Sequence, residues 1–545
     1  MFLQWHSIFG LALSLFLFHL APSICAEETA NKTASVPLDI DGSQFPMRWG
    51  NVDNEKDLDF AYLKHSIRTE LKKRLSKDAI VLVEGDEDFI HANVRYSNYK
   101  RPTYIAAVKP LEERDVVETV NYARSRGIPF VARVGGHSLT TSLRRLQNAI
   151  VIDMRGLNSI KFDKEKRQVT AGGGVQTGQF ANATYGYGME RLALVHVQDS
   201  WGFLSVPALV VYKVMISDYG YLHDNMVSIR LLLANGTIIT ADANKNSDVF
   251  WAVRGAGHNF GIALEATFQV HPQQNGGKHY VVDFEFGLES VEDVFQAMND
   301  ISDPMPKELA VFVIGRKRGA NGGPTININL VWSGPAIGAK GYVDRFADLS
   351  PVWRDEKVST WDALPWATYN GLNNILCTPE GWARFPIKNF YAANVKKYDL
   401  PTMRAFFDSW RDMNVKYDGG AMVSIMFESF PQQAVRANAL DTAFPWRHEA
   451  DHFLMTEIAS KTSENAEIFD QWLSEQQDAL IKSSGYSRLH QYVNYGHGSK
   501  DPPEALYGYE PWRLEKLRAL KKQLDPEGWF NGYQPLVPEE ELSDD

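Results

Sequence analysis

One hexapeptide in this 545-residue chain carries residue types that could hold an anion and present a reactive side chain: Arg133-Val134-Gly135-Gly136-His137-Ser138. It follows Phe130-Val-Ala-Arg-Val134, a run with the pattern of a strand. Paired glycines at that point let the main chain turn sharply and bring its N–H groups close to negative charge. A plain strand-to-loop turn with an incidental histidine is the competing reading. The hexapeptide is not a Walker loop, because no Gly-Lys-Ser/Thr follows, and it is not a G-x-G-x-x-G fingerprint. The 14 histidines are scattered, with no H-E-x-x-H and no Cys/His ligand spacing, so no metal is expected. Serine-based hydrolysis lacks a G-x-S-x-G elbow.

The elements that must position this loop are short. Ala79–Val83, Tyr104–Val108, Phe130–Val134, Ala149–Asp153 and Val169–Ala171 read as strands. Between them Glu112–Arg126 places Val116, Val117, Val120 and Ala123 at helical spacing. From about His271 to Gly485 the texture changes. Tyr280–Phe286, Ala310–Ile314, Ile326–Trp332, Met422–Phe427 and Phe453–Ile458 are predicted strands, alternating with helices at Glu292–Ile301 and Ala466–Ile481. That pattern predicts a second domain, an antiparallel sheet with helical cover. A closing segment rich in Tyr, Trp and Gly runs from Tyr492 to Pro535, and an acidic tail follows.

Further text surrounds the loop in a fixed order: Pro110 to Val117, Ala171-Gly-Gly-Gly-Val175, Leu231-Leu-Leu-Ala-Asn-Gly236, Asp248 to Ile262, Tyr492-Val-Asn-Tyr495 and Leu524 to Phe530. This series resembles the FAD-linked oxidases of the vanillyl-alcohol oxidase / p-cresol methylhydroxylase (PCMH) superfamily, in particular fungal members of the berberine bridge enzyme family. The likeness covers about 78–272 and 486–535, with Phe444-Pro-Trp-Arg447 as an echo between them. It implies an α+β, two-domain PCMH-type FAD-binding fold. The expected division is a signal peptide at 1–26, a lead-in at 27–77 and the first part of the FAD domain at 78–272. The substrate domain is then 273–485, a segment completing the FAD domain is 486–535, and 536–545 is the tail.

By the same resemblance, Arg133 to Ser138 would wrap the FAD pyrophosphate, and His137 would match the histidine often bonded covalently to the flavin 8α-methyl. Gly255, Gly257, Asn259, Gly261 and Ile262 would form a glycine-rich strand start approached by the cofactor, against the alternative of a bulge-rich buried strand. Tyr492 to Tyr495 would be a strand returning to the FAD domain, with Asn494 beside the ring system. Such enzymes oxidise an alcohol-type carbon of a small molecule, here a sugar or a secondary metabolite, by hydride transfer to flavin, with O2 as reoxidant. A base must take the hydroxyl proton. Tyr495 and then Tyr492 are the candidates, provided that positive charge or hydrogen bonds to the phenolate lower the pKa. Packing with a hydroxyl hydrogen bond is the competing role for each. Glu457, on the Phe453–Ile458 strand, is the third candidate, although alternation alone suits a solvent-facing carboxylate. His258 reads as a structural histidine.

Residues 191–222 depart from the family pattern. Relatives carry a glycine-rich stretch there, often opened by a cysteine that makes a second flavin link; this chain has only Gly202 and Gly220, and no Cys. His137 would then be the sole covalent anchor. Either the segment reshapes the site, leaving a non-catalytic or cofactor-impaired binding protein, or the reading frame runs through an intron. Sequencing the transcript across 190–222 separates the two.

Composition sets the remaining bounds. Hydrophobic residues make up 44% and charged residues 23%, which excludes a mostly disordered chain. The net charge of −11 argues against nucleic-acid partners and against docking on anionic lipid. Ile8 to Leu20 is almost uninterrupted apolar and Ala21-Pro-Ser-Ile-Cys-Ala26 follows, the pattern of a secretory signal peptide without a basic n-region. It is short for a spanning helix, so no stable membrane insertion is expected after its removal. Secretion agrees with N-x-[ST] sequons at Asn31, Asn182 and Asn235. The two cysteines, Cys25 and Cys377, make no disulfide framework.

Overall fold

Strands with one apolar face have to bury that face against another layer. Among the described residues this chain does so with three larger sheets, beside a two-stranded pair formed by Met189–Glu190 and His271–Pro272. The computed structural model describes residues 60–190, 219–317, 323–376, 379–438, 440–449, 451–498 and 500–536. The signal peptide, Asn31, Cys377, most of the divergent 191–222 stretch and nearly all of the acidic tail therefore lie outside the described residues.

The first sheet has four strands in the order Ile80–Val83, Tyr104–Lys109, Ala149–Asp153 and Phe130–Arg133. Its last three strands pair in parallel, and the first is antiparallel to its neighbour. The helix Glu113–Ser125 covers it with Val116, Val120 and Ala123 buried, the helical spacing expected. A second, antiparallel sheet has five strands, in the order Ile160–Asp163, Gln168–Gly172, Ile262–Gln269, Met226–Leu232 and Ile238–Asp242. One expectation needs correction here. The lead-in of 27–77 gives way to ordered structure by Phe60, because the helical stretch from Phe60 to Arg74 buries Leu63, Ile67 and Leu71 in the core of the first sheet.

The substrate domain is a seven-stranded antiparallel sheet. Its order is Trp353–Thr360, Lys278–Phe286, Pro324–Trp332, Leu309–Lys317, Ala421–Ser429, His452–Ser460 and Ile387–Val395. Strict alternation sorts the two faces. Val423, Ile425, Phe427, Leu454 and Ile458 point to a helical layer that includes Val291–Ile301, Leu400–Lys416 and Ala466–Ser483. Met426, Phe453, Met455 and Phe312 point the other way and join the core shared with the five-stranded sheet. The functional side chains sit on that second face.

The closing segment forms no strand at the expected place: Val493–Tyr495 is a 3-10 turn. It is tied across the domain boundary by Trp446 Nε1, which donates to the Gln491 carbonyl at 2.8 Å. Arg447 of the Phe444–Arg447 echo is buried and forms a bidentate ion pair with Asp224. That motif is a brace between the two domains.

The glycine-rich run is likewise a packing device. Ser247–Ala256 is a helix, Gly257–Asn259 a 3-10 turn, and the strand begins only at Ile262. A Cβ on Gly255 would lie 2.4 Å from the Ala443 carbonyl carbon and from Phe444 N, and one on Gly261 would lie 2.5 Å from the Leu232 oxygen. Backbone, not a ligand, occupies both spaces. Gly255→Ala is therefore expected to cost about 3 kcal/mol of stability through forced backbone displacement. Denaturant melts of the flavin-free and flavin-loaded protein should show the same loss; a loss confined to the loaded form would place the glycine at the cofactor instead.

Candidate active site

The loop expected to carry the chemistry leaves its strand at Arg133 and runs without regular structure to Thr140, yet it is almost wholly buried. Its carbonyls are engaged: Tyr96 N donates to the Gly136 oxygen at 2.9 Å and Arg95 Nη2 to the Ser138 oxygen at 3.1 Å. Gly136 has φ +67°, the left-handed region that glycine adopts without strain. The N–H groups of Gly135 and Gly136 have no backbone acceptor among the described residues. His137 lies between two aromatic rings, 4.5 Å from Trp382 in an edge contact and 5.4 Å from Tyr96. Burial, and then the Lys388 and Arg95 charges, push its pKa down to about 3, so the imidazole is neutral and one of its ring nitrogens is nucleophilic.

Lys388 and Glu457 complete this end of the site. Lys388 Nζ donates to the Tyr96 oxygen at 2.7 Å and stands 4.3 Å from the centre of the Tyr96 ring. The Tyr96 hydroxyl donates to Glu457 Oε1 at 3.4 Å. Glu457 is buried, not solvent-facing, and burial lifts its pKa to about 7 against the pull of Lys388 and the Tyr96 hydrogen bond.

The other end is built around a carboxylate that sequence reasoning missed. Tyr495 Oη donates to Glu428 Oε1 at 3.1 Å. Glu428 is fully buried, directly opposite Phe453 on one neighbouring strand and Phe312 on the other. Its position was legible, since it extends the Met422–Phe427 alternation by one residue, onto the face that carries Met426. Glu457 faces Ser424, four residues from Glu428 along that strand, so the two carboxylates stand about 13 Å apart. The cross-strand pair Met426 and Met455 lies between them.

The proton logic at Tyr495 differs from the expectation. Burial and the Glu428 carboxylate hold its pKa well above the usual phenol range, and burial does the same for Tyr492. Tyr495 is therefore a phenol already bonded to a base, able to hand its proton to Glu428 as it receives another. Tyr492, whose ring lies 5.3 Å from that of Tyr495, is bonded instead to Asn494, which donates to its hydroxyl at 2.8 Å.

Comparisons with known proteins fit this arrangement. Residues 104–242 match the FAD binding domain family. The chain is 46% identical over 487 residues to the FAD-linked oxidoreductase alt4 of Alternaria solani, covering 88% of this chain and 98% of that one. The chain belongs to the FAD-linked oxidoreductases. A second member, FAD-linked oxidoreductase fogF of Aspergillus ruber, is 30% identical, with 87% of this chain and 96% of that one covered. The fold is shared with the wild-type berberine-bridge-like 1 protein of Physcomitrella patens, at a TM-score of 0.70 and 20% identity. That match covers 87% of this chain and 99% of the other. The xylooligosaccharide oxidase of Myceliophthora thermophila shares it at a TM-score of 0.68 and 19% identity, over 87% and 99% of the two chains.

For this oxidoreductase the question is whether the residues present fit FAD. They do. The N–H groups of Gly135 and Gly136 are not spent on backbone acceptors among the described residues, which suits a pyrophosphate. Asn259 Oδ1 is fully buried and accepts no hydrogen bond among the described residues. Asn494 approaches the same region from the C-terminal segment. The Arg133 side chain turns back to the Val94 oxygen at 3.1 Å and to Asp153 at 3.5 Å, and the side chains of Val134 and Ile262 lie in the core, which leaves main-chain contacts as the way those two could meet FAD. His258 is structural, bonded to Tyr507, Asn259 and the Gln534 oxygen.

Glu457 gives this oxidoreductase a pH signature. Its folded pKa of about 7 lies above its ordinary value of 4.5, so its stabilising contribution is complete below about 4.5 and is lost as pH rises through 7. Glu457→Gln should thus match the wild type in acid and gain on it above neutrality, by at most about 3 kcal/mol. Denaturation curves of the pair between pH 4.5 and 9 measure this; parallel curves would show that Glu457 titrates normally.

Proposed function

We propose that this oxidoreductase is a secreted, N-glycosylated oxidase of alcohol-type carbons, with its FAD held covalently at His137 and O2 as reoxidant. The observation that carries the chemistry is the Tyr495–Glu428 hydrogen bond at 3.1 Å. FAD, when bound, supplies the two-electron acceptor. Tyr495 receives the substrate hydroxyl proton as its own passes to Glu428, which keeps net charge in the buried site constant. Glu457 and Lys388 hold the Tyr96 and His137 end, where a neutral imidazole is the form able to bond to carbon. The substrate is a small molecule, a sugar or a secondary metabolite. The names of similar folds, xylooligosaccharide oxidase and chitooligosaccharide oxidase, support an oxygen-rich one.

Secretion and glycosylation rest on the apolar N-terminal run and on surface geometry. Asn235 is exposed in a turn, where Thr237 Oγ1 donates to its Oδ1 at 2.6 Å. Asn182 is exposed on the Thr177–Gly186 helix, but its sequon partner Thr184 is buried and bonded to the carbonyls of Phe180 and Ala181. Among the described residues, no helix is long and apolar enough to cross a membrane.

The deciding experiment is the visible spectrum of the protein purified from culture medium, before and after unfolding and removal of free flavin. Yellow colour that stays with the chain, and is released in His137→Ala, is the expected result. Colour lost on unfolding leaves a flavoenzyme without the link, and a colourless folded protein overturns the reading. With flavin in place, Tyr495→Phe is expected to slow flavin reduction by oxidisable sugars and benzylic alcohols about 10²–10⁴-fold, followed anaerobically by stopped flow. A rate within threefold of wild type would remove Tyr495 from the proton path.

A further inference from the structure

A single cross-strand row runs over the inner face of the large sheet: Asp283, Asn329, Phe312, Glu428, Phe453 and Asn394 are successive partners on six strands. Above one half of this row sits a turn that a chain adopts only under constraint. Tyr369, Asn370 and Gly371 have φ of +55°, +52° and +71° in succession. An aromatic residue in the left-handed region is strained, and such strain persists only where the surroundings impose it.

Here the imposing group is Asp283. Its Oδ1 accepts from Tyr369 N and its Oδ2 from Asn370 N, both at 3.1 Å, while Asn329 Nδ2 donates to Oδ1 at 2.9 Å. The clamp lays the Tyr369 ring edge-on against Phe312, 6.0 Å between centroids, and Phe312 stands directly opposite Glu428. Tyr369 is only 3% exposed, and its hydroxyl has no hydrogen-bond partner among the described residues. A buried phenol without a partner costs stability, and here strain is added to that cost. The Glu428 charge raises the pKa of Tyr369 after burial does, and Tyr369 in turn acts on Tyr495. Tyr495 is thus bonded to Glu428, while Tyr369 packs on Phe312, the neighbour of Glu428 in the row, with a proton to donate.

We propose that Tyr369 is a substrate-binding residue whose hydroxyl donates to a second oxygen of the substrate, close to the hydroxyl that is oxidised, with Asp283 as the residue that positions it. This rests on the reading of Tyr495 and Glu428 as the proton path. It narrows the substrate to molecules with two neighbouring oxygens, such as a 1,2- or 1,3-diol. The surrounding Phe312, Phe430, Phe453 and Tyr492 favour a flat carbon skeleton between them.

The test compares 2-hydroxybenzyl alcohol with benzyl alcohol on the flavin-loaded enzyme. Anaerobic flavin reduction yields the dissociation constant and the limiting rate for each. The wild type is expected to bind the hydroxylated probe about tenfold more tightly, the value of one hydrogen bond. Tyr369→Phe should erase that preference, with the loss falling on the dissociation constant rather than on the limiting rate. Its melting temperature, a readout that needs no turnover, should stay level or rise by about 1–3 °C, since a stranded hydroxyl is removed. A wild type that carries flavin but shows no preference, or a Tyr369→Phe enzyme that keeps it, overturns the proposal. So does a variant that melts several degrees lower, which would make the hydroxyl structural. Loss of rate in Tyr495→Phe is a separate result: if that fails while the Tyr369 preference holds, the binding role stands and the proton path must be redrawn. Wild-type protein without flavin removes both.

Discussion

Four carboxylates on one face of an antiparallel sheet, all buried, set the terms for the rest of this structure. Asp283, Glu285, Glu428 and Glu457 are each less than a tenth exposed. Ionised groups in such surroundings are tolerated only when charge or hydrogen bonds compensate them. Each is compensated differently. Glu285 accepts from Thr325 at 2.6 Å and lies 3.6 Å from Arg316. Asp283 accepts from two main-chain N–H groups and an asparagine. Glu428 has the Tyr495 phenol, and Glu457 has Tyr96 with Lys388 nearby. The opposite face of the same strands is plain apolar core. The core shared with the five-stranded sheet covers the polar face and takes these carboxylates out of water.

Dryness decides how Tyr495 can work. A free phenolate base would need positive charge nearby, but its bonded neighbour is a carboxylate, which makes phenolate less favourable. A relay avoids forming that anion: as one proton arrives on the phenol oxygen another leaves for Glu428. The same low dielectric that penalises phenolate strengthens the bond that guides the transfer. Lys388 serves a different purpose at the far end. It stacks on Tyr96 and adds to the burial that keeps His137 neutral.

Much of the fold was legible, for reasons visible in particular elements. Ala149–Asp153 and Glu113–Ser125 combine local propensity with clean periodicity, and both fall within a residue or so of expectation. Trp353–Thr360 escaped because Trp-Arg-Asp-Glu-Lys reads as a charged loop, although it is an edge strand with alternating exposure. Ile387–Val395 escaped because Lys388 and Asn394 interrupt the apolar pattern of its inner face. The Phe60–Arg74 helix was lost behind a polar leader. In the site, His137 and the tyrosines were found by motif, but Glu428, Lys388, Trp382 and Tyr369 belong to no motif. They come together only when the sheet is registered, and a left-handed tyrosine carries no sequence signal at all.

The residues that carry the family resemblance and the residues that hold the chemistry are thus largely different sets. Gly255 and Gly261 make room for backbone, Arg447 braces Asp224, and Arg133 is paired with Asp153. These positions enforce the architecture, since each would create a clash or a stranded buried charge if replaced. The substrate contacts proposed above lie instead on the inner face of the seven-stranded sheet. Replacing Tyr369 or Met426 alters what is presented to a substrate and leaves every domain-spanning bond in place. A fold arranged this way can keep its flavin fixed while its reaction partner changes, because the bonds that join the domains and the strained, unpartnered Tyr369 lie on different residues.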